Sequence, residues 1–411
     1  MSQIPSEYLV DNLFLLIGTN PLPNLVAAKL LLKEGGTLYL VDSADTSKTA
    51  LRLETVLAEH CDIRQCRKIE VHEADAYDIE GKIRAVICNL NGTVGLNYTG
   101  GTKAMAVHTY RVLEADMFPG KPSPVFSYLD ANSFELRVDP LWHEKVLLEV
   151  KPTLNELLAL HGISLRPGLP SRNVAMLAAA NALAHAAPSD GLRVWRDWCE
   201  KTLRAQAHTG KDWKKNSQLL GIVLPLPDDP LLQNATTTLK SELGLPIHAD
   251  GLPLDPSSLH WPFSKSKPKY LCQWLDGDWL EHYVLSQTQI AADDCQLHDW
   301  GMTLETDPDS SLFGFEFDVA AMRGYQLFGI SCSTTADKGL AKSKLFEAYI
   351  RVRQLGGDEA RVGLVSGYPD PEKLRSEVSH SWEAEGKIRV FGPQHLPDLA
   401  THLAQWFKTA T

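Results

Sequence analysis

The sequence has no run of apolar residues that approaches the ~20 needed to cross a lipid bilayer. Its amino terminus also lacks the basic-then-apolar pattern of a secretory signal peptide. Both absences argue against a membrane protein or a secreted one. We therefore expect a cytoplasmic protein that has no membrane partner.

Cysteine pairs and an excess of basic charge are missing as well. The seven cysteines include no C-x-x-C pair and no His-flanked set with ligand spacing, which argues against a zinc site and a disulfide framework. The formal net charge of −11 argues against a surface that wraps nucleic acid without specificity. A local basic cleft is still compatible with this charge.

The stretch from Leu96 to Met105, LNYTGGTKAM, is the most informative segment that is present. We expect it to follow a buried strand at 85–88 and to open a helix over 102–115, which puts Thr-Gly-Gly-Thr at a strand-to-helix turn. Paired glycines permit positive φ and a close approach to a ligand, and a helix N-terminus favours an anion. Lys103 adds a positive charge. The pattern predicts an anion site, and the alternative is an ordinary helix start with a threonine cap.

Two more polar loops follow predicted strands. The apolar run 13–17 ends in the loop 18–24, and a helix over 25–33 leads to a second strand at 37–41, which ends in the loop 42–48. Open parallel α/β sheets bind their ligands at the carboxyl ends of the strands. Three polar loops at one sheet edge therefore predict a binding site.

The segments GTNPLPN at 18–24 and NYTGGTKAMA at 97–106 together resemble the CARF domain, the Rossmann-like sensor of type III CRISPR systems. The resemblance implies a homodimer that binds cyclic oligoadenylate, here expected to be cyclic tetra-adenylate, across its two-fold axis. It also implies a set of ligand contacts. Expected at the phosphates and riboses are Asn97, Thr99, Gly100, Gly101, Thr102 and Lys103; expected at adenine or ribose are Thr19, Asn20, Asn24, Asp42, Ser43 and Thr46; Met105 is expected to line the ring, and His108 either lines it or packs.

A helix and a hairpin near the carboxyl terminus carry a second candidate site. The helix presents Glu281, and alternating residues predict strands at 315–322 and 325–332 with a turn at Arg323-Gly324. In that register Asp318 faces Gly329, which leaves open space, and Glu316, Ser331 and Ser333 share the face. Carboxylates in such a gap bind divalent metal through oxygen.

Glu281, Glu316-x-Asp318 and a helix over 340–355 resemble the PD-(D/E)xK nuclease fold, specifically the nuclease half of CARF-containing CRISPR ancillary nucleases. The two resemblances cover residues 10–145 and 270–405. One departure is clear, because Ser331-Cys332-Ser333 stands where the family has E-x-K. The resemblance implies Mg²⁺ or Mn²⁺.

Two interpretations of this departure stay open. In the first, Glu281, Asp318 and the Cys332 carbonyl hold the metal, and Lys342 or Lys344, together with Glu347, acts from the helix. In the second, the nuclease is inactive, and Lys344, Glu347 and Arg351 form an ordinary solvated helix face.

The predicted architecture is α/β: a Rossmann-like CARF domain over 1–150, a connector over 151–268, and a PD-(D/E)xK nuclease-like domain over 269–411. In the connector we expect Trp195 and Trp198 to be core residues. The predicted function is a cyclic-oligoadenylate-activated, metal-dependent nuclease that acts on DNA or RNA in type III CRISPR antiviral defence. The alternatives are a ligand-gated binding protein with an inactive nuclease fold and a ring nuclease that opens its own ligand.

Overall fold

A computed structural model describes residues 4–115, 122–304 and 317–409. Glu316 and the start of the first predicted hairpin strand therefore lie outside the described residues. Among the helices described, none has the length and apolar composition to cross a membrane.

The amino-terminal region folds around a mixed sheet of seven described strands in the order β3-β2-β1-β4-β5-β6-β7. Its first five positions are parallel, and β6 and β7 are antiparallel additions. The strands are β1 (Val10–Leu16), β2 (Leu32–Asp42), β3 (Ile63–Glu70), β4 (Val94–Asn97), β5 (Val125–Asp130), β6 (Glu135–Val138) and β7 (Trp142–Lys145). The helices are α1 (Leu22–Leu31), α2 (Ser47–His60), α3 (Ala76–Ile87) and α4 (Lys103–Ala115).

The strand that we expected at 85–88 is wrong, because these residues end helix α3. Asp75 caps that helix by accepting hydrogen bonds from the Tyr77 and Asp78 N–H groups. Its buried residues are isoleucines four positions apart, which is a helical spacing. The strand that precedes the glycine motif is the four-residue β4.

The connector is mainly helical. It contains α5 (Leu154–Leu160), α6 (Leu177–Ala186), α7 (Gly191–Trp198), α8 (Ala205–Ala207), α9 (Asn216–Leu219) and α10 (Gln233–Glu242), with short strands β8 (His208–Thr209), β9 (Asp212–Trp213), β10 (Val223–Leu224) and β11 (Leu252–Pro253). A wider helical turn over Cys199–Arg204 joins α7 to α8, so these segments form one continuous helical run. Trp195 and Trp198 are buried and their rings lie 4.9 Å apart, which confirms their role in packing.

The carboxy-terminal region has a five-stranded described sheet in the order β12-β13-β14-β15-β16, antiparallel in its first half and parallel in its second. The strands are β12 (Asp299–Met302), β13 (Val319–Arg323), β14 (Gln326–Ser333), β15 (Arg361–Ser366) and β16 (Ile388–Phe391). The helices are α11 (Pro268–Gln273), α12 (Trp279–Cys295), α13 (Lys338–Gly356), α14 (Pro371–Ser381) and α15 (Leu399–Thr409).

The hairpin is present, but its turn lies one residue later than expected. Arg323 pairs with Gln326, so the turn consists of Gly324 and Tyr325. Ala320, and not Asp318, is opposite Gly329. Each residue of β13 therefore pairs with a residue of β14 two positions away from the expected one. Because side chains alternate with a period of two, Asp318 and Ser331 stay on the same face. The open space expected beside Gly329 is wrong, because a Cβ added there would lie 2.3 Å from Val352 Cγ2 of helix α13.

One hydrophobic core joins the amino-terminal and carboxy-terminal regions. A single cluster of buried side chains includes residues of β1 and β2 together with residues of β13, α13 and β15. At its edge the hairpin turn touches the segment after β7: the Tyr325 N–H donates to the Leu147 carbonyl over 3.3 Å. A Cβ at Gly324, where φ is +56°, would lie 1.7 Å from the same oxygen. Only glycine permits this approach.

We expect Gly324→Ala to destabilise the protein more than Gly386→Ala. Both glycines have positive φ, but a Cβ at Gly386 would meet no atom within 4 Å. The control should lose roughly 1–2 kcal/mol from left-handed strain. Gly324→Ala should lose a further ~1–3 kcal/mol because two backbone segments must separate. Thermal unfolding of both variants tests this, and equal losses would contradict the docking contact.

Candidate functional site

The three predicted loops do meet at one edge of the amino-terminal sheet. Strands β2, β1 and β4 are neighbours, and the loops leave their carboxyl ends. A Cβ at Gly18 would lie 3.2 Å from the Gly101 backbone nitrogen, so the first and third loops are in contact. This edge is the location that the sequence predicted for a ligand.

The paired glycines have a packing role that the sequence did not reveal. A Cβ at Gly100 would lie 2.3 Å from the Leu16 carbonyl oxygen, and one at Gly101 would lie 2.9 Å from Leu16 Cβ. The φ of Gly101 is +73°, as the turn pattern predicted. The close approach that these glycines permit is to strand β1 itself.

Most of the polar side chains predicted to face a ligand are engaged within the protein. Asn97 donates to Ser127 Oγ over 3.1 Å and accepts from the Thr99 N–H over 3.3 Å. Thr99 Oγ1 accepts from the Leu129 N–H over 2.8 Å, and Thr102 Oγ1 donates to the Glu73 carbonyl over 2.8 Å. These contacts fix the loop, and the Lys103 side chain that follows it is exposed.

The second and first loops are braced in the same way. Thr46 Oγ1 accepts from the Ser43 N–H over 2.9 Å. Asn24 is fully buried and donates to the Leu16 carbonyl over 3.0 Å. Asp42 is also buried; burial raises the pKa of its carboxyl, and Lys68 opposes that shift.

Lys103 and Thr19 are the two predicted contacts whose side chains are exposed and make no hydrogen bond or ion pair with the described residues. Met105 is different, because it is 1% exposed and belongs to the core cluster between the sheet and helices α3 and α4. The expectation that Met105 lines the ring therefore does not fit its packing. His108 lies 2.9 Å from Glu80 Oε1, which fits the packing alternative.

Asp318 is the centre of the second site. It lies just before β13, and its Oδ2 accepts hydrogen bonds from the Ser331 hydroxyl over 3.0 Å and from the Cys332 N–H over 2.5 Å. Burial raises the pKa of the Asp318 carboxyl, while the Cys332 N–H and the Lys344 ammonium act in the opposite direction. Asp318 is thus a half-buried acid whose charge is opposed by that of a nearby lysine.

Helix α13 brings the predicted Lys344 and Glu347 to the same place. A small cavity of about 40 Å³ is lined by Phe317, Asp318, Ser331, Lys344, Glu347, Ala348 and Arg351. Glu347 Oε1 accepts a hydrogen bond from Arg351 over 2.5 Å. The common helix face that the spacing predicted is therefore confirmed, and it faces the hairpin.

Glu281 of helix α12 approaches from another direction. Burial raises the pKa of the Cys332 thiol well above its usual value, and the carboxylates of Asp318 and Glu281 raise it further, whereas Lys344 lowers it. All three charged groups therefore act on Cys332. Across 4–115, 122–304 and 317–409, no group of three or more His, Cys, Asp or Glu side chains is placed to hold a metal ion.

The donor chemistry nevertheless suits a hard cation. Asp318, Glu281 and the Cys332 carbonyl supply oxygen atoms only, which is the ligand type that Mg²⁺ and Mn²⁺ prefer. A carboxyl with a raised pKa, such as that of Asp318, is also stabilised in its charged form by a bound cation. These residues fit the predicted metal.

Sequence reasoning missed a contact between the first loop and the carboxy-terminal region. A Cβ at Gly357, just after helix α13, would lie 2.5 Å from Asn20 Nδ2 and 2.8 Å from Glu359 Oε2. Asn20 also accepts a hydrogen bond from the Leu22 N–H over 3.1 Å. The sequence signal for this contact was the glycine pair 356–357, which follows a helical pattern and indicates a helix end. A residue of the candidate ligand edge thus touches the helix that carries Lys344.

Comparison with known proteins supports both halves of this description. Residues 268–410 match the family model for the Card1-like endonuclease domain. The crystal structure of protein VC1899 from Vibrio cholerae is similar with a TM-score of 0.72 at 18% identity, covering 97% of this chain and 98% of that one. No curated protein sequence gave a match.

Two further solved structures are similar in fold. Can2 from Sulfobacillus thermosulfidooxidans, in complex with cyclic tetra-adenylate, has a TM-score of 0.68 at 17% identity and covers 97% of this chain and 99% of its own. A type III CRISPR defence DNA nuclease activated by cyclic oligoadenylate has a TM-score of 0.50 at 17% identity, over 87% of this chain and 45% of that one. The predicted α/β fold and the resemblance to CARF-containing nucleases are confirmed, and residues 268–410 are similar to the Card1-like endonuclease domain.

We expect stability to depend on pH through the buried carboxyl of Glu359, two residues after Gly357. Burial raises the pKa of this carboxyl to about 7 from a usual value of 4.5. The folded protein therefore keeps a proton that the unfolded chain releases, and stability falls as pH rises from about 4.5 to about 7. Glu359→Gln should remove that decrease in urea unfolding measured across this window. Glu372→Gln, which removes an exposed partner of Arg375, should retain it; identical profiles for both variants would contradict the assignment.

Proposed function

We propose that this protein is a nuclease of type III CRISPR defence that cyclic oligoadenylate activates, and that it cleaves phosphodiester bonds in DNA or RNA. The observation that carries the proposal is the cavity in which Asp318, Lys344 and Glu347 converge inside a Card1-like endonuclease domain. The likeness of the whole chain to Can2, which was solved with cyclic tetra-adenylate, supports the activator.

In the proposed sensor site, the backbone N–H groups at the start of helix α4 and the Lys103 ammonium bind the phosphates of the ring. Thr19 adds a hydroxyl from the neighbouring loop. The engaged side chains of Asn97, Thr99 and Thr102 hold the loop in place for this contact. A ring with two-fold symmetry pairs two such edges, so the active form is a homodimer with one shared site.

In the proposed catalytic site, Glu281, Asp318 and the Cys332 carbonyl hold Mg²⁺ or Mn²⁺. The metal supplies a Lewis acid and an activated water molecule for hydrolysis. Lys344 provides the positive charge that Ser333 does not, and it stabilises the negative charge that develops on the scissile phosphate. Arg351 fixes Glu347 in the cavity wall.

A ligand-gated binding protein is the second candidate, and one observation favours it. Ser331 takes the place of the family's glutamate, and its hydroxyl donates a hydrogen bond to Asp318 Oδ2. A hydroxyl cannot replace the charge of a carboxylate in metal binding. In this alternative the domain would hold nucleic acid or a partner without cleaving it.

We expect Lys103→Ala to weaken the binding of cyclic tetra-adenylate by about 1.5–3 kcal/mol, the range for a hydrogen bond to a charged group. Isothermal calorimetry measures this loss and should also give one ring per two chains. Lys145→Ala removes an equally exposed lysine from strand β7, at the far edge of the sheet, and should leave affinity unchanged. Wild-type affinity in Lys103→Ala would refute the phosphate contact of Lys103, and one ring per chain would refute the shared site.

We expect Asp318→Asn to abolish cleavage that depends on cyclic tetra-adenylate while leaving its binding intact. The assay uses supercoiled plasmid and single-stranded RNA with Mn²⁺. Lys344→Ala should be nearly as damaging. Lys342→Ala is the matched control, because Lys342 pairs with Glu377 over 3.0 Å on another face of the same helix.

Each outcome separates the candidates. Activity in Asp318→Asn would place the chemistry elsewhere. Equal effects of Lys344→Ala and Lys342→Ala would remove Lys344 from catalysis. A wild-type protein that binds the ring and cleaves neither substrate would favour the binding protein.

A further inference from the structure

A groove of about 560 Å³ lies between the connector and the endonuclease domain. Its volume is within the ~300–1,000 Å³ range typical of ligand sites. One wall is the start of helix α7, and the other is formed by the segments that follow β14, β15 and β16. The residues used below are Arg193, Arg196, Thr334, Gly367 and Gln394, all of which line it. We call it the connector groove.

The connector groove begins close to the catalytic cavity. Thr334, in its wall, follows Ser331 of the cavity by three residues, a separation of at most roughly 10 Å along an extended chain. The strand ends there are tightly packed, because a Cβ at Gly367 would lie 2.4 Å from the Thr334 carbonyl oxygen. A polymer held in the groove would therefore pass next to Asp318.

Arg196 is the charged side chain of this groove that forms no ion pair with the described residues. Its guanidinium is partly buried, and the charge of the neighbouring Asp197 acts on it only through space. The neighbouring charges are already paired: Arg193 lies 2.8 Å from Asp190, and Asp197 lies 3.1 Å from Lys201. A guanidinium in a groove without a carboxylate partner suits a phosphate, which it binds through two parallel N–H donors.

We propose that the connector groove binds the sugar–phosphate backbone of the nucleic-acid substrate beside the scissile bond, and that Arg196 contacts one phosphate. The inference rests on the proposed nuclease function and assigns the connector a part in it. The lining also includes Pro188, Pro369 and Pro393, which add apolar surface, and Asp190, which pairs with Arg193. A contact between Arg196 and a phosphate would position a strand and carry no sequence information.

The test is fluorescence anisotropy of labelled oligothymidylate DNA and oligouridylate RNA with the full chain, with cyclic tetra-adenylate present and divalent cations chelated so that nothing is cleaved. Arg196→Ala should weaken binding of the preferred strand about tenfold, the loss of one charge-assisted contact. It should also reduce the slope of log affinity against log salt by about 0.7, the value for one phosphate of a single strand.

Two further variants keep the test decisive. Lys201→Ala removes the same charge from the same helical run, and its lysine pairs with Asp197 outside the groove; it should bind as the wild type does. Gln394→Glu leaves Arg196 unchanged and places a carboxylate on the opposite, exposed wall of the groove. It should also weaken binding, because the carboxylate repels a phosphate. Thermal midpoints and ring affinity close to wild type show that the variants are folded.

The outcomes distinguish this inference from the function it rests on. In one outcome the wild type binds both strands, and Arg196→Ala and Gln394→Glu bind them with the same affinity as Lys201→Ala. This result overturns the proposed role of the connector groove and leaves the nuclease proposal standing. A wild type that binds the ring and neither strand overturns the connector groove and the proposed cleavage together. Weakening limited to the groove variants, with a lower salt slope for Arg196→Ala, supports the proposal.

Discussion

The shared hydrophobic core between the two sheets is the constraint on which the rest of the structure depends. A two-residue hairpin turn sits against the chain after β7, and Gly324 allows a carbonyl oxygen to approach where any side chain would collide. Phe134 and Tyr325 pack across the same boundary with ring centroids 5.9 Å apart. Because buried apolar groups from both regions form one cluster, neither region can shift without disturbing the packing of the other.

The hairpin β13–β14 and helix α13 each contact the amino-terminal region at one end and line the Asp318 cavity elsewhere. The hairpin carries Gly324 at its turn and Asp318 at its open end. Helix α13 carries Lys344 near its start, and its last turn lies beside Asn20 of the candidate sensor edge. His161, which follows helix α5, reaches the Leu355 carbonyl over 2.9 Å and adds a third connection. The candidate sensor edge and the cavity of Asp318 and Lys344 are therefore connected through the same packed elements.

The sequence predicted the elements with strong periodicity and the loops with turn residues. The sheet edge that gathers three polar loops, the helix face of Lys344 and Glu347, and the packing role of Trp195 follow from spacing alone. The strand at 85–88 failed because a short apolar run fits either a strand or a buried helix turn. The segment forms a helix because Asp75 caps its start and its isoleucines are buried at helical spacing.

Other errors came from contacts between segments that are distant in the chain. Gly329 looked like space beside a carboxylate, but helix α13 fills that space with Val352. Met105 looked like a ligand contact because of its motif, but its side chain lies in the core. The Asn20 contact and the position of Arg196 in the connector groove depend on how the connector and the two regions pack, and no local sequence pattern encodes that packing.

The glycine pair at 100–101 has a consequence for how such sequences are identified. Strand β1 leaves no room for a Cβ at Gly100, so the fold itself requires glycine there, whether or not a ring is bound. A descendant of this chain that lost its ligand would still have to keep that glycine in order to fold. The motif therefore reports the architecture of the sheet edge, and exposed groups such as Lys103 are the positions at which loss of sensing would first become visible.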